Sequence, residues 1–353
     1  MAVKFTKPEI NIREKLAELD KPSGIAGEAM LRAETVAEQQ ALIGVGRRNL
    51  LINGGFDVWQ RGTSFTPTGA NPYTADRWRV YQSSNSNVTV TKRTESTSSS
   101  VPFINYIRLD DTIDADTSWI ELNQYVEDYA HLINNTVTVS FWAKASYDIQ
   151  DGYIYTNAGT SSGAYAITTS WTKYQVTLDL KAGTVASDGY LRLLLGTQTL
   201  VAADSYIDYA QVQLETGKVA TPFEHRSYGE ELALCQRYYY KLGGVGGVDA
   251  ATSLSSGSMY TSTDVNLYVP FPVPMRATPS ISKTVNGTGN WLNLYVGATG
   301  TIGNPTPQIG DNGTDSARVY IPSAHSGNSP SAAGAGVWAI LLSGASLNFS
   351  AEL

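Results

Sequence analysis

From Asn49 onward, apolar and polar residues alternate with a period of two, in short runs separated by Gly, Asn and Ser. The clearest runs are residues 87–91, 136–142 and 174–178. Because successive side chains of a β-strand point to opposite faces, this alternation is typical of strands with one buried face. Many such strands split by turn residues predict a mainly β protein built as an antiparallel sandwich.

The chain length divides this β region into two domains. With 353 residues, the chain exceeds what one hydrophobic core usually holds. We place the first sandwich at residues 49–226 and a second, C-terminal β-sandwich domain at residues 245–353. Between them, Ser227 and Glu230 have the spacing of a capping box, and residues 231–242 contain no Gly or Pro. The sequence therefore predicts a short linker helix within residues 227–244.

Residues 1–48 form a third region with a different composition. They are rich in Glu, Lys, Ala and Leu, lack Trp and Tyr, and show helical spacing at Ile12, Leu16 and Leu19. The apolar stripe of these helices is too thin to hold them in isolation. We therefore expect a short helical N-terminal extension that becomes ordered against copies of itself or against another protein.

Charge and composition exclude several classes of partner. A net charge of -7 argues against nucleic acid, and the lack of a long apolar run argues against membrane insertion. A single cysteine, Cys235, permits no intrachain disulfide, which fits synthesis in a reducing cytoplasm. The three histidines lie far apart, and neither a nucleophile elbow nor a phosphate-binding loop occurs. We predict no catalytic residue, and a protein that is not an enzyme.

Three segments carry a resemblance to a known family. Residues 49–62 read NLLINGGFDVWQRG, residues 73–78 read YTADRW, and the third segment runs from Gln213 through FEHR at 223–226 to CQRYY at 235–239. Together they resemble bacteriophage tail-fibre and related virion proteins that contain a jelly-roll domain of the carbohydrate-binding-module type. The resemblance implies a jelly roll for residues 49–226, a homotrimer, and location in the virion after synthesis in the bacterial host.

On this basis we expect a phage fibre subunit, a virion structural protein. Residues 1–48 would dock on phage tail or capsid proteins, and residues 245–353 would form a distal tip that contributes to attachment to host-surface glycan. One alternative is a capsid (head) decoration or tail collar protein without glycan binding. Another is a polysaccharide depolymerase, which requires a cleft with two carboxylates.

The resemblance also implies candidate binding residues. Related sugar-binding jelly rolls often hold a structural calcium, and Gly55, Asp57 and Asp208 occupy the matching positions. The alternative is a carboxylate that caps a turn, and the residues themselves predict no cofactor. Exposed indoles commonly stack on sugar rings, and Trp119 and Trp291 are the candidates for glycan binding.

Overall fold

The computed structural model describes residues 48–66, 72–82, 88–96, 100–111, 118–158, 160–181, 189–200, 205–243, 252–296, 299–324 and 334–353. The helical extension predicted for residues 1–48 lies outside these ranges, apart from Arg48. None of the helices in the described ranges is long and apolar enough to cross a membrane.

The first domain contains twelve strands in its described part and a 3-10 helix at Ala130–Leu132. The strands are β1 (Ser64–Phe65), β2 (Arg79–Gln82), β3 (Val88–Thr94), β4 (Asn105–Asp111), β5 (Ser118–Val126), β6 (Thr136–Ala145), β7 (Ile149–Thr156), β8 (Thr160–Ser161), β9 (Tyr165–Ile167), β10 (Thr172–Asp179), β11 (Leu191–Leu200) and β12 (Ser205–Thr216).

These strands form two antiparallel sheets packed face to face. One sheet has the order β1-β3-β4-β12-β6-β10, and the other has the order β2-β5-β11-β7-β8, with β9 pairing to β7. From β4 to β7 and from β10 to β12, each strand along the chain lies in the sheet opposite to its predecessor. This crossing between sheets is the topology of a jelly roll, so the predicted fold class is confirmed.

The alternation seen in the sequence fills the space between the sheets. On β6, Val137, Val139 and Phe141 are fully buried and join one core cluster with residues of both sheets. The same alternation places Ile120 and Leu122 of β5 in this core. Residues of β5 at the intervening positions therefore face away from the core, on the open side of the second sheet.

The linker helix begins where the sequence predicts. Helix α1 spans Tyr228–Gln236, and Ser227 and Glu230 make both hydrogen bonds of the capping box. The helix fills only the first half of the predicted range 227–244, because Tyr239–Leu242 is a strand that pairs with the last strand of the chain. A stretch without Gly or Pro permits a helix, but its tyrosines favour a strand once a partner strand is present.

The second domain is a sandwich of ten strands in the described part of the chain. They are β13 (Tyr239–Leu242), β14 (Thr252–Met259), β15 (Val265–Pro270), β16 (Ser280–Thr284), β17 (Leu292–Val296), β18 (Thr299–Gly303), β19 (Gln308–Asn312), β20 (Ser316–Ile321), β21 (Gly336–Leu341) and β22 (Ser346–Ser350). A three-stranded sheet, β13-β22-β16, accompanies a seven-stranded sheet, β18-β17-β21-β14-β15-β20-β19. The second sandwich thus includes Tyr239–Leu242, ahead of the predicted start at residue 245.

Buried charges connect the two domains. Arg77 and Arg61 of the first domain both bind the carboxylate of Glu352, near the C-terminus. The guanidinium of Arg77 also lies 3.6 Å from the ring centroid of Tyr238, and that of Arg61 lies 3.6 Å from the ring centroid of Tyr239. We call this group, together with Asp76, the interdomain joint.

The joint is also fixed by backbone geometry. Asn53, Phe56 and Arg77 have φ values of 58°, 56° and 71°, which are uncommon for residues other than glycine. The side chain of Asn53 donates to the carbonyls of Val58 and Asp76 and accepts from the Val58 amide. Because these buried bonds are local and numerous, they hold a conformation that would otherwise be costly.

Candidate functional site

Asp208, a predicted calcium ligand, is buried in an ion-pair network. Its two carboxylate oxygens accept hydrogen bonds from Arg108 Nε at 2.7 Å and Nη2 at 2.9 Å, and Lys144 Nζ lies 3.7 Å away. Burial raises the pKa of Asp208, while Arg108 and then Lys144 act in the opposite direction. The positively charged side chains of Arg108 and Lys144 thus lie next to this carboxylate.

Gly55 and Asp57, the other two predicted ligands, lie next to each other at the start of the first domain. Asp57 Oδ1 accepts from Asn105 Nδ2 at 2.6 Å, and the Asp57 carbonyl accepts from Lys92 Nζ at 3.1 Å. Calcium takes six to eight oxygen ligands. In the described ranges, no three His, Cys, Asp or Glu side chains cluster as a metal site. The residues therefore do not fit a calcium ion, since Arg108 and Lys144 pair with the Asp208 carboxylate, while Asn105 and Lys92 donate to oxygens of Asp57.

Trp291 was predicted to be exposed for glycan stacking, and this prediction is wrong. The residue is completely buried in the core of the second sandwich, immediately before β17. Its indole Nε1 donates to the carbonyl of Pro305 at 2.8 Å, so its only polar atom is satisfied internally. Trp291 therefore stabilises the domain and offers no face to a ligand.

Trp119 lies on the open side of the second sheet of the first domain. It is half-buried, and its ring centroid lies 4.6 Å from that of Tyr81 on β2. Tyr81 pairs in register with Glu121 of β5. Trp119 and Tyr81 therefore adjoin the residues that line a groove on this face.

The groove has a volume of about 490 Å³ and crosses β5, β11 and β7. Leu194 of β11, the central strand of this sheet, lines its floor, and Gly196 lies two residues further along the same strand, on the same face of the sheet. A Cβ atom at Gly196 would lie 2.9 Å from the Tyr153 ring. A glycine at this position therefore lets the Tyr153 ring lie across β11. The groove is lined by Glu121, Asp151, Tyr153, Tyr155, Ser161, Ser162, Ala164, Arg192 and Leu194.

Charged and aromatic groups line the groove in a fixed arrangement. The Tyr153 hydroxyl donates to Glu121 Oε1 at 2.6 Å, and the Thr197 hydroxyl donates to Asp151 Oδ1 at 2.6 Å. Burial raises the pKa of Glu121, whereas the Tyr153 hydrogen bond and Arg192 lower it. Burial, together with the hydrogen bond to Glu121, also raises the pKa of Tyr153.

Arg192 supplies the positive charge of the groove. Its guanidinium carbon lies 5.7 Å from the ring centroid of Tyr155. Its buried Nε has no hydrogen-bond partner in the described part of the chain. The groove thus combines two aromatic rings, carboxylate acceptors and a guanidinium donor. The rings can stack on a polyhydroxylated ligand, and the charged groups can form hydrogen bonds with its hydroxyls.

Apart from Trp119 beside it, sequence reasoning did not find the groove. A signal existed in β7, where Tyr153 and Tyr155 alternate with buried residues. Alternation alone does not show which face is left uncovered, because that depends on the strands paired in space. Sequence reasoning likewise missed Trp338 of β21, which is 55% exposed.

Comparisons with known proteins found similarities at the level of structure. No protein-family model and no curated protein sequence matches the chain. A family 61 carbohydrate-binding module in complex with β-1,4-galactotriose has a TM-score of 0.31 and 17% identity, covering 48% of this chain and 100% of its own. The enzymatically active domain of tailspike protein 4 of bacteriophage CBA120 has a TM-score of 0.32 and 13% identity, covering 48% of this chain and 21% of its own.

A cyclase from Fischerella sp. TAU, in complex with an indole-containing ketone, is also similar, with a TM-score of 0.36 and 13% identity. That match covers 50% of this chain and 100% of the cyclase. Because these similarities are low, any statement about function has to rest on the side chains described above.

Proposed function

We propose that this chain is a structural subunit of a bacteriophage fibre whose first sandwich binds a glycan of the host surface. The groove on the open face of the second sheet carries the binding part of the proposal. The three segments that resemble phage virion proteins support the assignment to a particle, with residues 1–48 as the docking extension and a homotrimer as the assembly. Weak glycan contacts made by several copies add up to useful avidity.

The groove suits a sugar chain because of what its walls offer. Tyr153 and Tyr155 present aromatic surface to the C–H faces of sugar rings. Glu121 accepts hydrogen bonds and Arg192 donates them, and hydroxyl groups of a sugar can pair with either. In this proposal the groove binds a glycan without cleaving it.

Binding is tested with the full chain on an array of purified bacterial capsular and lipopolysaccharide glycans. Tyr153→Ala and Gly196→Val should each weaken retention by about tenfold, since the first removes the Tyr153 ring and the second displaces it. Tyr228→Ala, which removes an exposed ring on helix α1 far along the chain, is the control. Equal retention of all four proteins would contradict a glycan site in the groove.

The position of the subunit on the particle separates the fibre from its alternative. Cryo-electron microscopy of intact phage should show trimers on the tail with residues 245–353 outermost. Copies lying flat on the capsid, or buried in a collar, would instead support a decoration or collar protein without glycan binding.

One observation favours a second function, that of a polysaccharide depolymerase. Glu121 and Asp151 line the same groove, and burial raises the pKa of Glu121, as expected for a general acid. Release of reducing ends from a bound polysaccharide, abolished by Glu121→Gln, would establish this activity. Retention on the array without release of reducing ends supports the binding function.

A further inference from the structure

A row of planar side chains crosses the solvent-facing side of the seven-stranded sheet in the second domain. The register places Tyr295 on β17 opposite Trp338 on β21, and Tyr268 on β15 opposite Arg318 on β20. Ser256 on β14 pairs with Trp338 and separates it from Tyr268. Because neighbouring strands lie about 4.8 Å apart, the row from Tyr295 to Arg318 is about 19 Å long.

Two aromatic members of the row are open to solvent, and the third, Tyr295, is half-buried. Trp338 is 55% exposed and Tyr268 is 60% exposed, while their neighbours along each strand are buried in the core. The side chains around them on this face include the polar Ser256, Asn266 and Asn293, and also Ile302, which is 59% exposed, and Ile340, both of which pair with Asn293. The face thus presents aromatic surface among polar and aliphatic side chains.

Two glycines allow the ends of the row to lie flat on the sheet. A Cβ atom at Gly300 would lie 2.9 Å from Tyr295 Cε1, so the ring covers that backbone position. A Cβ atom at Gly310 would lie 2.6 Å from Arg318 Cζ, so the guanidinium covers the second glycine in the same way. Both planar groups therefore lie against a neighbouring strand and turn a face toward solvent.

The orientation of Trp338 is fixed by a hydrogen bond. Its indole Nε1 donates to the hydroxyl of Ser253 on β14 at 2.9 Å. This bond satisfies the only polar atom of the side chain and fixes the exposed ring before any ligand arrives. Stacking on a ring that is already ordered costs little conformational entropy.

Charges on this face compensate each other. Arg318 Nε donates to Asp311 Oδ2 at 2.6 Å, and Arg318 Nη1 donates to Asn266 Oδ1 at 3.0 Å. A groove of about 500 Å³ runs along this end of the row and is lined by Tyr268, Asp311 and Arg318, among others. Because the charges are paired, this surface attracts neither a cationic nor an anionic ligand. The hydroxyl groups of an uncharged ligand can donate to the amide and carboxylate oxygens.

From these observations we infer that the row binds a neutral polysaccharide chain, whose sugar rings stack on Tyr295, Trp338 and Tyr268. Sugar rings combine apolar C–H faces with many uncharged hydroxyls, which matches exposed aromatic rings set among serine and asparagine. A second copy of the chain fits less well, because the Arg318, Asp311 and Asn266 group interrupts the apolar surface, whereas stable interfaces between subunits have a more apolar core. The site is separate from the groove of the first domain, so its binding does not depend on the function proposed for that groove.

The test is affinity gel electrophoresis of the full chain through gels containing dextran, yeast mannan, β-1,4-galactan or laminarin. At least one of these four neutral polysaccharides should retard the wild-type chain. Trp338→Ala and Tyr268→Ala should each weaken that retardation by about tenfold. Tyr228→Ala is the matched control, because this tyrosine is 57% exposed and lies on helix α1. Circular dichroism checks that each variant remains folded.

The outcomes distinguish this site from the groove. Retardation that survives Tyr153→Ala but not Trp338→Ala supports the row, whatever the groove binds. Retardation lost only with Tyr153→Ala, or no retardation by any of the four polysaccharides, overturns the proposal. A change in sedimentation coefficient with Trp338→Ala, at unchanged retardation, would also overturn it and identify the face as a contact between copies.

Discussion

The interdomain joint and the open face of the seven-stranded sheet use the same side chains, tyrosine, arginine and an acid, in opposite settings. At the joint, Arg77 is 1% exposed, lies on the Tyr238 ring and is paired with a buried Glu352. On the open face, Arg318 pairs with Asp311, whose side chain is 78% exposed. Burial makes the first pair a structural connection, whereas the second remains available to a ligand.

This difference explains why the recognisable segments of the sequence proved to be structural. Asn53, Asp76 and Arg77 all belong to the segments that resemble phage virion proteins, and all lie at the joint or support it. Glu231 of the third segment accepts from the Asn53 amide and from Arg226. The residues of these segments therefore close the first sandwich and connect it to the second, and the proposed binding surfaces lie elsewhere.

The largest expected effect comes from removing the shared acid of the joint. Glu352→Ala should lower the free energy of unfolding by about 3–5 kcal/mol, because it leaves the buried guanidinium of Arg77 without its counter-ion. Burial acts to lower the pKa of Arg77, but Glu352, together with Tyr238 and Tyr73, raises it overall, so the arginine stays charged. Urea denaturation monitored by tryptophan fluorescence measures the change.

The exposed pair of Arg318 and Asp311 should contribute much less to stability than the buried pair of Arg77 and Glu352. Asp311→Ala removes the acid of the open face, where solvent screens the charge, and should leave the urea midpoint nearly unchanged. Similar losses for Glu352→Ala and Asp311→Ala would show that burial does not separate the two regions.

A smaller effect is expected at Gly54, where the opening segment approaches β12. A Cβ atom at Gly54 would lie 2.1 Å from the Val212 carbonyl oxygen, beside the bulge between Ala210 and Gln213. Gly54→Ala should therefore cost about 1–3 kcal/mol of unfolding free energy. Gly229→Ala in helix α1 is the control, since nothing lies within 4 Å of its Cβ position, and it should stabilise by about 0.5 kcal/mol. Equal urea midpoints for the two variants would contradict close packing at Gly54.

Much of the architecture could be predicted from the sequence because it depends on local rules. Period-two alternation indicated the strands, and Ser227 with Glu230 indicated the start of helix α1. The end of that helix was missed because Tyr239–Leu242 gains its strand partner from β22, more than a hundred residues later. No local pattern contains that pairing.

The candidate sites were harder to predict because they depend on which sheet face stays uncovered. Trp291 and Trp338 both belong to β regions of the second domain, yet the first is fully buried and the second is 55% exposed. The calcium prediction relied on acids whose neighbours in space, Arg108, Lys144 and Lys92, come from other strands. Glycan binding by Trp119, which is half-buried beside the groove, stays a prediction. Glu121, Tyr153 and Arg192 meet only after β5, β7 and β11 have paired.

The smallest expected effect is the contribution of Asp76, in the joint, to the pH dependence of stability. Burial raises the pKa of Asp76 to about 6, although Arg61 and the Gln60 amide act against this rise. Between the unfolded value and this folded value, the folded chain binds more protons, so the free energy of unfolding increases as pH falls. From pH 7 to pH 5, Asp76 should contribute about 1 kcal/mol of added stability, which Asp76→Asn should remove in urea titrations at both pH values. Identical pH profiles of the wild type and Asp76→Asn would mean that Asp76 ionises as it does in solvent, and that the joint is more open than the buried contacts of Arg61 and Glu352 indicate.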